Sequence, residues 1–425
     1  MTKTDLPIND VIPSIQASLE KSTKLIVQAP PGAGKSTVVP ISLINEPFLD
    51  GKKILVLEPR RVAAKSIATQ MSKLLNSQLG DVVGYQIRLE KKVSKNTKIL
   101  VVTEGILTKM LQSDEALEDI GCVIFDEFHE RSIHTDLGLA LCLQTQEILR
   151  EDLRLLVMSA TLNTQHLSQK IDAKVITSKS RNFKIQQEYL SLDIKHPTKD
   201  ELPAILENTI IKALKVDKGD ILVFIPEVRM INKMVYLLEQ NSSIKEVLVL
   251  PLHSNLSFKE QALALNKNEK RKVILATNIA QTSLTIENIK VVIDTGLQKI
   301  QKFNHSNMMN FLELDFISKD DEIQREGRAG RLSNGKCYKL WHKRRLLEQS
   351  TKPEILRVDL TDFLLNLSFY GVDSLDDLIF LDKPPIQVIE DSKVLLKELG
   401  LINNSGNITK KGRTVVSIGT SPRLG

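Results

Sequence analysis

The stretch "QAPPGAGKST", Gln28 to Thr37, decides the fold class of this chain. It leaves an apolar run of strand formers, "KLIVQA" from Lys24, and opens a stretch of helical character. A glycine-rich loop in that strand–loop–helix context is a phosphate cradle. Gly32 and Gly34 permit backbone angles and a close approach that side chains would block. The loop amides and the helix N-terminus then point at phosphate oxygens. The expected cradle is Pro31, Gly32, Ala33, Gly34, Lys35, Ser36 and Thr37. Lys35 supplies a point charge for the β and γ phosphates, and Ser36 offers its hydroxyl to Mg2+. Ala29 stands where the usual pattern has its first glycine, and a small residue suffices there.

Outward from this loop, short β-rich runs alternate with helical patterns, which is the signature of parallel α/β sheets. In the first part they are "KLIVQA", "KILVLE" from Lys53, "KILVVT" from Lys98, "CVIFDE" from Cys122, "RLLVMSA" from Arg154 and "KVITS" from Lys174. Polar, irregular sequence around Ser178 to Asn182 reads as a linker. The pattern then restarts with "GDILVFIP" from Gly219, "KEVLVLPL" from Lys245, "KVILAT" from Lys272 and "VVIDTG" from Val291. The run from Lys299 to Ile317 alternates on both sides of a polar Asn/His/Ser centre and is expected to form a β-hairpin. "KCYKLW" from Lys336 reads as a last strand, and the pattern turns helical after about Lys343.

"VIFDEFHERSIH", Val123 to His134, places acids just past the end of a buried strand. That edge is where open α/β sheets bind ligands. Beside a phosphate cradle the acids have a task. Asp126 is expected to hold Mg2+ through its water shell, and Glu127 to orient and deprotonate an attacking water. His129 is expected to couple the site to the opposing domain.

Bulk properties set the frame. At 425 residues the chain exceeds what one hydrophobic core usually serves, so two or three domains are expected. A net charge of +6 is mildly basic and fits a polyanionic partner. Only 4% of residues are aromatic, so extensive base stacking is not indicated, and nucleic acid would be gripped through its phosphates. Cys122, Cys142 and Cys337 lack CxxC spacing and read as buried filler in a reducing compartment. No run of membrane-spanning length and no signal-peptide core is evident, so a cytoplasmic protein without membrane contact is expected.

Seven motifs appear in order: "APPGAGKST", "LEPRRVAA", "TEGIL", "DEFHER", "MSATL", "LATNIAQTSLTI" and "QREGRAGR". With them the chain resembles the DEAH-type superfamily 2 helicases, and most of all the bacterial HrpB-type ATP-dependent helicases. The resemblance implies an α/β fold: two tandem RecA-like parallel-sheet domains, then a small, mostly helical winged-helix-like domain. The boundaries expected on this reading are residues 1–179, 180–345 with the hairpin at 299–317, and 346–425.

The resemblance also implies roles. ATP and Mg2+ would lie between the two RecA-like domains. Lys35, Ser36, Asp126 and Glu127 match the nucleotide residues of the first. Ser159 and Thr161 match a motif that links hydrolysis to interdomain movement. In the second domain Gln324 would lie near the water, and Arg328 and Arg331 would act as fingers on the γ-phosphate. Glu287 matches an acidic position on the same side of the nucleotide. Arg60, Thr103, Thr277, Ser283 and Thr285 match positions associated with the nucleic-acid backbone.

The expected activity is therefore an ATP-dependent helicase or translocase on single-stranded or tailed nucleic acid, with RNA favoured. A nucleotide-gated RNA clamp without unwinding is the alternative. Gln281, Glu326 and Glu227 depart from the family pattern, which usually has glutamate, alanine or serine, and glycine there. The sequence stops at "SIGTSPRLG", where relatives are expected to continue into ratchet-like and oligonucleotide-binding regions. The basic cluster "HKRRLL", His342 to Leu347, reads as a solvated helix start and a weak candidate contact for nucleic acid.

Overall fold

The computed structural model describes residues 6–160, 164–179, 183–191, 197–282, 286–304, 309–331, 333–372 and 374–425. Its first sheet has eight strands, in the order Glu90–Lys92, Val83–Ile87, Ile99–Thr103, Lys53–Glu58, Ile120–Phe125, Arg154–Ser159, Lys24–Gln28 and Lys174–Thr177. Every neighbouring pair is parallel except Val83–Ile87 with Glu90–Lys92. The central strands are apolar on both faces because helices cover both sides, and Ile120–Phe125 is buried throughout. Parallel pairing puts Gln28, Glu58, Thr103, Phe125 and Ser159 at one edge of the sheet.

The second sheet is wholly parallel, in the order Leu248–Leu252, Lys272–Ala276, Asp220–Phe224, Ile289–Asp294, Gly335–His342 and Ile185–Leu190. Leu297–Asn304 and Met309–Phe316 pair antiparallel, so the expected hairpin forms; its turn, 305–308, lies outside the described residues. Together these are two RecA-like domains.

Three expectations change. Val83–Ile87 and Glu90–Lys92 extend the first sheet, and Ile185–Leu190 closes the second, although none was anticipated from the sequence. The strand expected from Lys245 begins at Leu248, because the short turn Ser242–Ile244 precedes it. "HKRRLL" starts no helix: strand Gly335–His342 ends at its first residue and a turn follows.

The C-terminal region is helical, with Thr361–Phe369, Ile386–Glu398 and Lys410–Ile418, and a small antiparallel bridge between Ile402 and Ile408. It shares one hydrophobic cluster with the first domain. Phe363, Leu364, Leu367 and Val415 join Leu107, Leu111 and Leu141 there. Tyr370 donates its hydroxyl to the carbonyl of Thr108 at 2.6 Å. All three cysteines are buried and free. Among the described residues no helix is long and apolar enough to cross a membrane.

Candidate active site

The cradle is shaped by its glycines. Gly32 and Gly34 have φ of +83° and +94°, a region that L side chains rarely adopt. A Cβ on Gly34 would sit 2.7 Å from Leu6, so the loop is also packed from behind. The Ala33 carbonyl accepts from the Ile8 amide at 3.1 Å, which ties the N-terminal segment to it. Helix Lys35–Leu43 starts directly after, which puts its positive N-terminal end at the loop.

Lys35 is 5% exposed, and Nζ donates to Glu127 Oε1 at 2.9 Å, with Asp126 Oδ1 at 3.9 Å. Burial disfavours its charge, but Glu127 and Asp126 outweigh burial and raise its pKa above the ordinary value. Burial pushes the Glu127 carboxyl up, yet Lys35 and then His129 overcome this and hold it at about 2. Asp126 moves the other way, upward, because its burial is incompletely offset by Lys35. Ser36 lies beside it, and Asp126 Oδ2 is buried with no hydrogen-bond partner among the described residues. A hydroxyl beside such a carboxylate oxygen suits a divalent cation that keeps most of its waters. Among the described residues no group of three or more His, Cys, Asp or Glu is disposed to hold a metal by itself, in keeping with so sparse a ligand set.

Glu127 to Arg131 form a tight turn. Both end residues have positive φ, 48° and 47°, and Phe128–Glu130 is a single 3-10 turn between them. His129 Nε2 is 3.5 Å from Glu127 Oε2, while Nδ1 accepts from the Ala160 amide at 3.5 Å. Ser159, fully buried, ends the strand next to the cradle strand, and its carbonyl accepts from the Ala29 amide. Thr161 lies outside the described residues.

The second domain faces this cluster. The Arg331 side chain lies 3.5 Å from where a Cβ on Gly32 would stand. Arg328 is 2% exposed and close enough to Glu127 for their charges to act on each other. Burial lowers the pKa of Arg328 well below the ordinary range, and the like charge of Arg331 adds to this while Glu127 opposes it. Burial likewise brings Arg331 down to about 10, again opposed by Glu127. The buried Arg328, the half-buried Arg331 and the buried Lys35 ammonium converge from the two domains, a grouping that favours a polyanion. Gln324 is 1% exposed on helix Lys319–Glu326, just before the arginines. Glu287 is exposed; the described contacts leave it outside the Lys35 cluster, and its charge acts on Lys272.

The nucleic-acid candidates are placed unevenly. Thr103 and Thr277 are half-buried at the ends of strands Ile99–Thr103 and Lys272–Ala276. Arg60 bridges the domains: it donates to the Asn278 carbonyl at 2.5 Å and pairs with Glu130 at 3.2 Å. Thr282 of the second domain also donates to Glu130. Ser283 and Thr285 lie outside the described residues.

One acid was missed. Glu58 ends strand Lys53–Glu58, is fully buried, and has no hydrogen-bond partner for either oxygen among the described residues. Burial, then the charges of Asp126 and Glu127, push its carboxyl well above the usual range. The signal was available, since an acid closing a buried strand also drew attention to Asp126.

The family profile described as "DEAD/DEAH box helicase" matches residues 9–169, and "Helicase conserved C-terminal domain" matches residues 201–333. The chain is 39% identical to the ATP-dependent RNA helicase HrpB of Escherichia coli, over 99% of this chain and 52% of that protein. It is 35% identical to the ATP-dependent RNA helicase HrpA of Borreliella burgdorferi, over 98% of this chain and 51% of that one. The crystal structure of the Escherichia coli DEAH/RHA helicase HrpB superposes with a TM-score of 0.91 at 38% identity, covering 99% of this chain and 53% of that one. The chain thus spans about half the length of these relatives. It carries a DEAD/DEAH box helicase domain followed by a helicase C-terminal domain, and along nearly all of its own length it is similar in sequence and structure to HrpB.

Proposed function

We propose that this chain hydrolyses ATP to ADP and phosphate between its two RecA-like domains and uses the cycle to move along or unwind nucleic acid, RNA by preference. One observation carries the reading: Lys35, Asp126 and Glu127 of one domain face Arg328 and Arg331 of the other, with Arg331 against Gly32. The names of the relatives, ATP-dependent RNA helicases, support the choice of nucleotide and polymer.

On this reading the Lys35–Glu127 pair is a resting arrangement. A triphosphate in the cradle takes over Lys35 and releases Glu127 to orient the attacking water and accept its proton. Gln324 orients the same water. Ser36 and Asp126 would hold Mg2+, which would supply positive charge against the phosphates. Arg328 and Arg331 neutralise charge on the γ-phosphate, and fingers of this kind are worth about 10³–10⁵ in rate.

His129 and Ser159, with Thr161, sense the change at Glu127 and pass it to the interface. The Arg60–Glu130–Thr282 bridge is where the domains part when phosphate leaves. Thr103 and Thr277, with Ser283 and Thr285, grip the backbone, and Arg60 joins them once free of Glu130. We place the domain boundaries near residues 179 and 345.

A strand-displacement assay on a tailed RNA duplex, with ATP turnover measured in parallel, tests this. Displacement that requires ATP is expected. Polynucleotide-stimulated turnover without displacement would leave only a nucleotide-gated clamp, and absent turnover would sink both.

A further inference from the structure

Contacts around Gln281 converge on the second domain's arginine motif. This residue is 7% exposed and follows the short turn Asn278–Ala280. Its side-chain Nε2 donates to Asp321 Oδ1 at 2.5 Å and to Gln324 Oε1 at 3.3 Å. Its Oε1 accepts from Arg325 Nε at 2.9 Å. Its main-chain carbonyl accepts from Arg328 Nε at 3.0 Å. One side chain and its own carbonyl therefore touch the water-side glutamine, one finger arginine, and two charged residues on the helix that leads into the finger.

Those two charged residues are anchored from their far sides. Arg325 Nη1 donates to Asp294 Oδ1 at 2.9 Å and to the Leu297 carbonyl at 3.2 Å. Asp321 Oδ2 accepts from the hydroxyls of Ser318 at 2.7 Å and Thr351 at 3.0 Å, and from Gln298 at 3.2 Å. A carboxylate only accepts and a guanidinium only donates. A residue between them must donate to one and accept from the other, which a neutral amide does. A carboxylate in its place would meet Asp321 acceptor to acceptor in a buried site. An apolar side chain would leave buried polar groups unpaired.

We propose that Gln281 is the positioning residue for the second domain's half of the nucleotide site. Its amide, locked between Asp321 and Arg325, and its carbonyl set Gln324 and the Arg328 guanidinium at the γ-phosphate. The inference rests on the ATPase reading above. Gln281 touches no substrate and acts through those two side chains.

An amide–carboxylate exchange in the full 425-residue chain tests this. ATP turnover stimulated by single-stranded RNA is measured for wild type, Gln281→Glu, and Gln281→Glu with Asp321→Asn. In the double variant donor and acceptor change places and the total charge returns to that of the wild type. Gln281→Glu is expected to lower kcat at least about tenfold while KM for ATP changes less than about threefold, because the loss falls on transition-state contacts. Adding Asp321→Asn is expected to recover most of that loss.

A Gln281→Glu variant as active as wild type overturns the proposal, as does a double variant no better than the single. If Gln281→Glu does not fold, by its thermal midpoint, Gln281→Met keeps the volume without adding charge. It is expected to show the same loss of kcat, and full activity in it overturns the proposal. A wild-type chain that hydrolyses no ATP overturns the parent reading instead, and this one with it.

Discussion

Arg131 Nη2 lies 2.7 Å from Asp382 Oδ2, and this pair joins the last residue of the "DEFHER" run to the C-terminal region. The same guanidinium holds Asp136 at 2.9 Å, and the Arg131 carbonyl accepts from the Glu354 amide at 3.1 Å. Four residues earlier, Glu127 holds Lys35. Between them Glu130 meets Arg60 and, across the cleft, Thr282. One five-residue turn, with left-handed backbone at each end, thus touches the cradle, the second domain and the C-terminal region. The hairpin is tied to the same region, because the Phe303 amide donates to the Arg357 carbonyl at 2.8 Å.

Removing Arg131 should cost more than removing Asp382. Asp136 is 4% exposed, and its burial raises its pKa despite Arg131. Arg131→Ala strands that acid, and breaking a buried pair from one side costs about 3–5 kcal/mol. The Asp382 side chain is 34% exposed, so Asp382→Asn should cost less than about 1 kcal/mol. Urea denaturation of both variants checks the order, and equal losses would contradict it.

Glu127→Gln should retain ATP binding and lose turnover by about 10²–10⁴, the usual worth of a positioned general base. The amide keeps the shape of the site but cannot take a proton. Binding of a fluorescent ATP analogue, set beside steady-state hydrolysis, separates the two effects. Undiminished hydrolysis would remove Glu127 from its assigned role.

Arg328→Ala should slow hydrolysis by about 10³-fold or more with little change in affinity for ATP. Lys35, the loop amides and Arg331 remain to bind the triphosphate. Single-turnover rates and binding isotherms on one preparation distinguish this from a pure affinity defect, which would argue against a finger.

Much of this site could be read in the sequence where a motif specifies its own backbone. Gly32 and Gly34 announce the cradle because only glycine is at ease with those angles, and Asp126 and Glu127 stand out because acids close an apolar strand. Strand Ile185–Leu190 was invisible for the opposite reason. It lies at a sheet edge, half-exposed, and Gln186, Gln187 and Glu188 hide any apolar alternation. Contacts between distant positions leave no local trace. Nothing near Arg131 points to Asp382, and nothing near Gln281 points to Asp321 and Arg325. The contacts of Arg60 with Glu130 and Asn278 leave no local trace either.

Glu58 offers a test by pH in the nucleotide-free, metal-free protein. Its folded pKa is raised by burial first, and then by Asp126 and Glu127, above an ordinary value of 4.5. The folded chain therefore keeps a proton that the unfolded chain loses. Stability tied to this group is fully present below about pH 4.5 and is lost as pH rises through the folded pKa. Glu58→Gln mimics the protonated acid and cannot ionise, so it removes that slope. The variant should melt close to wild type at about pH 5 and increasingly above it toward about pH 8. The three carboxyls titrate as a group, so what is compared is the pH dependence of the difference in melting temperature, not a single apparent pKa. A difference that stays flat with pH, or shrinks as pH rises, would show that Glu58 is ionised and accommodated in the folded site.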